Sequence, residues 1–497
     1  MQLKKRQQMN IKLRNWQTQA LLKARKWFQK AEKQFLLVCA PASGKTIASC
    51  AIAQSLIADG EIDRVIVIAP QRHVVSNWAK DFEMVTGRFM TKVTGSDTNL
   101  SQLSLDFCAT WSAVQGLQAE FQAICRAFRV LVICDENHHA AIKAAWGGSA
   151  ESAFHDAKHA LILSGTPVRS DGADSIWLSF DSMGRIDHPE EGCFVLNYGE
   201  AVDENYCRPT TFHLHKGKFQ VDLDNGETTT ITGYQPAVLS GANRRIPGLQ
   251  AALDFYRLAK TPKYESDGIT PAIDGYQATM IEWGSTKLDE LRLRMADAGG
   301  LVIAPNIDMA EYFCDLIELI EGERPLLVHS QLPNAESTIT AFRRGTSRWL
   351  VSVAMVSEGV DIPRLRVLVY LPNSLTELSF RQAVGRVVRS AGPDDDTRAY
   401  VVMPSFETFD RYARRVENEM SPAMRKGKPG PKFKKCPTCD HECDLGARSC
   451  PECGYEFPST PPRVKPCKEC GALNPLTAES CHSCGASFQP DFVITLR

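Results

Sequence analysis

The chain has 497 residues, 43% of them hydrophobic and 23% charged, with a net charge of −1. That length is enough for three to four domains, and the composition is that of ordinary soluble protein. No apolar run approaches the ~18 residues that span a bilayer, and the N-terminus lacks a signal-peptide pattern. A cytoplasmic protein, cytosolic or nucleoid-associated and without a membrane partner, is therefore expected. Basic residues gather at Lys4, Lys5 and Arg6 and again from Arg425 to Lys435. Of 17 cysteines, eight lie before residue 320 and nine between Cys436 and Cys484. The scattered eight read as small core residues, whereas the crowded nine point to metal rather than disulfides in a reducing compartment.

Residues 13–28 carry apolar side chains at a helical period. Gln17, in the first turn, can offer its amide to an adenine edge. A solvated glutamine would be the simpler reading, but its place just upstream of the next motif reverses that preference.

Phe35 to Ala40 is the first expected strand, and Ile47 to Ile57 an amphipathic helix. Between them runs Ala40-Pro-Ala-Ser-Gly-Lys-Thr46. Backbone N–H groups of Ala42, Ser43 and Gly44 at such a loop and helix start can hold phosphate. Lys45 would reach the β- and γ-phosphates and the Thr46 hydroxyl would ligate Mg²⁺. A full phosphate-binding loop has glycine where this chain has Cys39, and related loops often have it at Ala42.

Strands are expected next at Val65–Pro70 and Leu105–Thr110, with a helix opening at Gln71. Their following loops are candidates for gripping a nucleic-acid backbone or are plain strand-to-helix turns. Val130 to Ile133 reads as a strand buried on both faces, ending on Asp135 and Glu136 at the edge where open α/β sheets place ligands. Asp135 would hold Mg²⁺ through water and Glu136 would orient and deprotonate an attacking water. His138 is placed on the γ-phosphate side. Strand Ala160–Leu163 leads into Ser164 and Thr166, hydroxyls suited to coupling the site to domain movement.

Leu13-Arg14…Gln17, APASGKT, VIVIAPQRH, DENHH and LSGTPVRSD, in that order, resemble the first motor domain of superfamily 2 helicases. The DExH branch related to type III restriction motors and DNA-repair helicases is the closest resemblance. It implies two RecA-like domains with ATP bound between them, and it adds Arg14 and Gln17 to the nucleotide-binding set. Residues 1–184 would form RecA-like domain 1 and 285–418 RecA-like domain 2. A connector, 185–284, would hold a hairpin of Thr211–His215 with Phe219–Leu223 and a helix near Pro247–Lys260.

In the second half, Ser352 to Pro363 resembles motif V, with Gly359 for a tight turn and Asp361 for ribose or the opposing domain. Gln382-Ala-Val-Gly-Arg386-Val-Val-Arg389 resembles motif VI. At helical spacing Gln382, Arg386 and Arg389 share one face. A planar, permanently charged fork suits transition-state charge, so Arg389 is the expected arginine finger, with Arg386 as a second γ-phosphate contact. On their own these arginines would read as a salt-bridged surface helix.

Residues 419–435 form a basic linker that favours phosphate contact. Beyond it Cys436-x₂-Cys439-x₁₀-Cys450-x₂-Cys453 recurs as Cys467-x₂-Cys470-x₁₀-Cys481-x₂-Cys484, offset by 31 residues. Paired CxxC knuckles make tetrahedral Zn²⁺ sites, and units this small need metal to fold. Two structural zinc ribbons, 436–458 and 465–490, are expected, with Cys443 left over.

The expected whole is an α/β chain of two tandem parallel-sheet domains plus two zinc modules, using ATP, Mg²⁺ and two Zn²⁺. As an ATP-hydrolysing motor it would act on nucleic acid, DNA favoured over RNA, with monomers plausible. The alternatives are an RNA helicase and an ATPase switch that recruits a protein partner through its ribbons. A restriction-type motor would need a partner's nuclease, since no nuclease cluster is evident.

Overall fold

Runs of aliphatic and β-branched residues fold as strands buried on both faces, because parallel sheets carry helices on either side. In β5 (Val130–Cys134) all five residues are buried, as the continuous apolar run demands. The computed structural model describes residues 11–41, 43–95, 100, 106–136, 145–165, 177, 179–180, 186–223, 228–241, 243–353, 362–390, 395, 397–426, 433–436, 438–439, 441–444, 447–457, 464–467, 469–475, 478, 480–486, 488 and 491–495. The chain divides into two compact units between Ala201 and Val202.

The first unit contains α1 (Asn15–Phe28), β1 (Gln34–Cys39), α2 (Lys45–Ala58), β2 (Arg64–Ala69), α3 (Arg72–Thr86), β3 (Met90–Val93) and β4 (Asp106–Thr110). It continues through α4 (Trp111–Gly116), α5 (Gln118–Ala127), β5, α6 (Ala145–Phe154), β6 (His159–Ser164), the short pair β7 (Ser179–Phe180) and β8 (Ile186–Asp187), and β9 (Cys193–Leu196). Helix α7 (Tyr198–Asp203) carries the boundary. The seven-stranded sheet has the order β3-β4-β2-β5-β6-β1-β9, and every pairing in it is parallel. The C-terminal ends of β1, β2, β5 and β6 therefore share one edge.

The second unit begins with β10 (Thr210–His215), β11 (Lys218–Asp222), β12 (Thr228–Ile231), α8 (Leu249–Ala252), α9 (Phe255–Ala259) and α10 (Tyr276–Arg292). Then come β13 (Gly299–Ile303), α11 (Ile307–Glu321), β14 (Leu326–Val328), α12 (Ala335–Arg344), β15 (Trp349–Ser352), β16 (Leu365–Tyr370), α13 (Glu377–Val387), β17 (Ala399–Pro404), α14 (Glu407–Glu419) and α15 (Pro422–Lys426). Its six-stranded parallel sheet runs β10-β17-β16-β13-β15-β14. An aromatic cluster of Tyr256, Tyr370, Phe380, Phe406 and Phe409 packs beside it. The tail adds β18 (Phe433–Lys435) with β19 (Glu442–Asp444), β20 (Val464–Pro466) with β21 (Leu473–Pro475), and β22 (Asp491–Thr495).

Three expectations need correcting. The Thr211–His215 and Phe219–Leu223 segments do not pair with each other. Strand β10 joins the large sheet beside β17, while β11 turns away to pair antiparallel with β12 and parallel with β22. A strand beside an open sheet edge buries more than an isolated hairpin can. The helix expected over Pro247–Lys260 is two short ones, because Asp254 takes an extended conformation and caps α9, its side chain accepting from Arg257 N. Residues 185–284, expected as a connector, also contribute to both sheets: β9 completes the first, while β10 joins the second and α10 belongs to the second unit. Among the described residues no helix is long and apolar enough to cross a membrane.

Candidate active site and metal centres

The first site forms at the shared sheet edge of the first unit. After β1 the chain turns tightly, with Ser43 Oγ donating to Ala40 O at 2.8 Å and Ser43 fully buried. Gly44 follows at φ +97°, a left-handed conformation in which side chains are strained, and α2 starts at Lys45. Space reinforces the choice of glycine, because a Cβ there would stand 2.9 Å from Gln17 Nε2.

Arg14 and Gln17 reach this loop from α1. The Arg14 guanidinium donates to Ser43 O at 2.7 Å and Gln17 Nε2 donates to Gly44 O at 3.0 Å, while Gln17 Oε1 accepts from Arg14 N. Both ends of the Gln17 amide are thus engaged, Nε2 on the loop and Oε1 on the start of α1, and the residue is 3% exposed. Thr46 is the second residue of α2 and half-buried.

From β5, two strands away, come the two carboxylates. Lys45 Nζ lies 2.8 Å from Glu136 Oε1 and 3.3 Å from Asp135 Oδ1. Burial works against the ammonium, but the two carboxylates outweigh it and raise its pKa. Glu136 adopts φ +51°, a costly conformation for a side-chain-bearing residue that turns its carboxylate toward Lys45. Between β5 and β1 lies β6, which ends at Ser164 and is followed by Gly165. A Cβ on Gly165 would sit 3.9 Å from Glu136 Oε1, an ordinary contact that places the carboxylate over the end of β6.

Asp135 presents two different oxygens. Oδ2 accepts from the Trp78 indole at 2.8 Å, whereas Oδ1 is buried, turned to Lys45 and receives no hydrogen bond. A hard carboxylate oxygen without a donor suits Mg²⁺, and Thr46 brings a hydroxyl in the first turn of α2. Trp78 was not foreseen, because in sequence it is one more apolar residue of an amphipathic helix.

In the second unit, Gln382 and Arg386 lie half-buried on α13. Arg389 does not share their helical face, as motif spacing implied. The helix ends at Val387, Val388 leaves helical geometry, and Arg389 bridges Cys207. Arg208 enforces this end. Its backbone N–H donates to Val388 O at 2.8 Å and its guanidinium to Val387 O at 2.8 Å and Leu365 O at 3.0 Å. That buried guanidinium also pairs with Asp395. No sequence signal marks Arg208, whose partner lies 187 residues away. Ala42, His138, Thr166, Gly359 and Asp361 lie outside the described residues.

The tail holds two further sites. Cys436, Cys439, Cys450 and Cys453 bring their Sγ atoms within 4.8 Å of one another, and so do Cys467, Cys470, Cys481 and Cys484. The closest pairs, 3.5–3.6 Å apart, approach the ~3.8 Å edge of a tetrahedron with Zn–S bonds of ~2.3 Å. The Cys484 N–H, against burial, brings the Cys481 thiol down to about 6, which favours a thiolate ligand. The sequence repeat is also a structural one. Lys434 donates to Ala447 O and lies over Phe457, and 31 residues on Lys465 donates to Ala478 O and lies over Phe488.

Residues 10–169 match the family of the type III restriction enzyme res subunit, and residues 286–391 match the helicase conserved C-terminal domain. Uncharacterized protein Rv2917 of Mycobacterium tuberculosis is 31% identical over 410 residues, covering 82% of this chain; the chain spans 64% of that relative's length. The DNA 3'-5' translocase XPB2 of Sulfurisphaera tokodaii is 22% identical over 385 residues, covering 76% of this chain and 79% of that protein. Among solved structures, the ATP-dependent Type ISP restriction-modification enzyme LlaBIII bound to DNA shares the fold. Its TM-score is 0.51 at 16% identity, over 83% of this chain and 30% of that one. Two family matches in tandem, the paired parallel sheets and the ordered motifs agree: the chain belongs to the DExH-type superfamily 2 helicases and carries two C-terminal four-cysteine modules of zinc-ribbon type.

Proposed function

We propose that the protein is an ATP-driven translocase or helicase acting on DNA in the cytoplasm. The observation that carries this is the convergence of Lys45, Asp135 and Glu136 at one sheet edge. A triphosphate offers Lys45 stronger acceptors than the carboxylates, and exchange of partners would leave Glu136 able to take a proton from the attacking water. Mg²⁺, held by the Thr46 hydroxyl and Asp135, would neutralise charge on the β- and γ-phosphates. Arg14 and Gln17 hold the loop's carbonyls inward, keeping its N–H groups available for phosphate. Arg389, with Arg386 and Gln382 beside it in sequence, would supply the finger. Alternating grip driven by turnover would then step the protein along a strand.

The DNA-translocase relative supports DNA over RNA. The test is ATP turnover titrated with single-stranded DNA, duplex DNA and RNA, beside a strand-displacement assay. Stimulation by DNA with movement is expected. Stimulation by RNA alone would transfer the reading to RNA, and turnover without movement would make the protein a switch.

A second reading concerns the first zinc module. Between Cys436 and Phe457 stand Asp440, Glu442, Asp444, Glu452 and Glu456 against one cation, Arg448. A surface of that sign repels phosphate and favours a basic protein partner. The adjoining linker keeps the nucleic-acid role.

A further inference from the structure

We propose that Trp78 positions the Mg²⁺ carboxylate, and that through it α3 sets the metal affinity of the ATP site; this rests on the function proposed above. The indole donates to Asp135 Oδ2 at 2.8 Å from a side chain 1% exposed. Asp135 is itself 6% exposed, and its backbone N–H is fixed to Ile68 O at 2.9 Å. With Oδ2 taken by a donor, Oδ1 faces Lys45.

Indole suits this task. It donates and never accepts, so it fixes which carboxylate oxygen turns inward without competing for a cation. A rigid bicycle in a close-packed interior also resists rotation. Cys108 and Cys134, both fully buried, offer the carboxylate an apolar surrounding in which an unanchored oxygen would be costly. Trp349 likewise donates to a buried carboxylate, Glu321, at 2.8 Å; what sets Trp78 apart is that the carboxylate it holds lies 3.3 Å from Lys45 at the phosphate-site edge.

The placement also gives a route for control. Helix α3 starts at Arg72, directly after the Gln71 turn at the phosphate-site edge, where a nucleic-acid backbone would be gripped. Trp78 lies on that helix less than two turns from its start. A shift of α3 on strand binding would move the indole and with it Asp135.

The experiment measures binding of a fluorescent, slowly hydrolysed ATP analogue in EDTA and in Mg²⁺, by anisotropy. Trp78→Phe, which loses the donor and keeps most of the ring, is expected to hold its EDTA affinity within two-fold. Its Mg²⁺-dependent gain should fall at least five-fold relative to wild type. Trp78→His, which retains a ring N–H, should keep more of the gain than the phenylalanine variant. An unchanged gain in Trp78→Phe, or equal losses in both variants, overturns the assignment. Where Trp78→Phe does not fold, Trp78→His decides: retention of the gain supports the donor, and loss overturns it. A wild-type protein with no Mg²⁺-dependent nucleotide binding would instead defeat the underlying function, so the two failures are distinct.

Discussion

Lys45 Nζ stands 2.8 Å from Glu136 Oε1, an ion pair closed across 91 residues of sequence. One cation thereby links the loop that would hold phosphate to the carboxylate that would handle water. Lys45→Ala leaves two carboxylates facing each other in a partly buried site and removes the phosphate contact. Nucleic-acid-stimulated ATP turnover should fall by at least ~100-fold, with weaker nucleotide binding. Glu136→Gln should separate the two roles, keeping nucleotide affinity within a few-fold while turnover is lost. Phosphate release and equilibrium binding on the same preparations check both. Full turnover in either variant removes the role assigned to that residue.

Arg389 is set by Arg208, not by continuation of α13. Arg389→Ala should cost about 10³ in turnover, the scale of a lost arginine finger, while nucleotide binding persists. Arg208→Leu removes a buried guanidinium that serves two carbonyls and Asp395. Asp395 keeps Arg366 and Thr397, but the carbonyls of Val387 and Leu365 lose their side-chain donor, which should cost about 1–3 kcal/mol of stability. Chemical denaturation would show it, and a stability equal to wild type would refute the bracing role.

Gly44→Ala meets two obstacles, a left-handed φ of +97° and a Cβ 2.9 Å from Gln17 Nε2. Strain of about 1–2 kcal/mol is expected from the backbone alone. Because the loop and not the core takes the strain, nucleotide affinity should drop more than the melting temperature. Adding Gln17→Ala should relieve the contact but not the backbone, restoring affinity only in part. Complete restoration would show that crowding, rather than φ, makes glycine necessary.

Local chemistry was legible in the sequence wherever it was also contiguous. The apolar run of β5, the Ser43-Gly44-Lys45-Thr46 turn and the four CxxC knuckles each state their structure within a dozen residues. What could not be read depends on partners distant in sequence. Trp78 looks like helix core until Asp135 is placed beside it, and Arg208 looks like a surface cation until the carbonyls of Val387 and Leu365 surround it. Strand β10 likewise carries alternation that fits a hairpin equally well; only the open edge at β17 decides. The end of α13 defeated periodicity for the same reason, since Cys207 stops the helix from outside it.

Histidines shielded from water make stability depend on pH, His159 and His215 buried and His213 and His188 half-buried. Burial lowers His159 and His213 to about 4 and His215 to about 3, from an ordinary 6.5. For His213, Lys216 and Lys287 push the same way, and its ring stacks on Trp283 at 4.3 Å. The unfolded chain takes up these protons near pH 6.5 and the folded chain does not. Stability should therefore be intact above that pH and fall as the pH drops from 6.5 toward 4. Urea midpoints between pH 7.5 and 5 measure the slope. His213→Phe keeps a ring on Trp283 and removes one titration, so it should flatten the curve; an unaltered slope would assign the acid sensitivity elsewhere.

The two four-cysteine modules should not release zinc alike. At equivalent places in the 31-residue repeat the first module has Cys443 and the second Asn474. Asn474 Nδ2 lies 3.6 Å from Cys481 Sγ, its Oδ1 accepts from His482 N at 2.9 Å, and the Ser483 N–H also points at Cys481 Sγ. At the equivalent place Cys443 also meets the Cys450 sulfur, but its thiol, which lies near His441 O as well, is a weaker donor than the Asn474 amide. Hydrogen bonds to a thiolate withdraw its charge and blunt its reaction with oxidants, and such outer partners typically change metal affinity 10–100-fold. Treatment with dilute hydrogen peroxide, followed by a colorimetric zinc indicator, should therefore show two phases. Asn474→Ala should accelerate the slow phase and leave the fast one unaltered. A single phase in wild type, or no effect of Asn474→Ala, would show that this hydrogen bond does not protect the second site. Because each module depends on metal to fold, exhaustive chelation should unfold both while nucleotide binding at Lys45, measured in EDTA, stays unchanged.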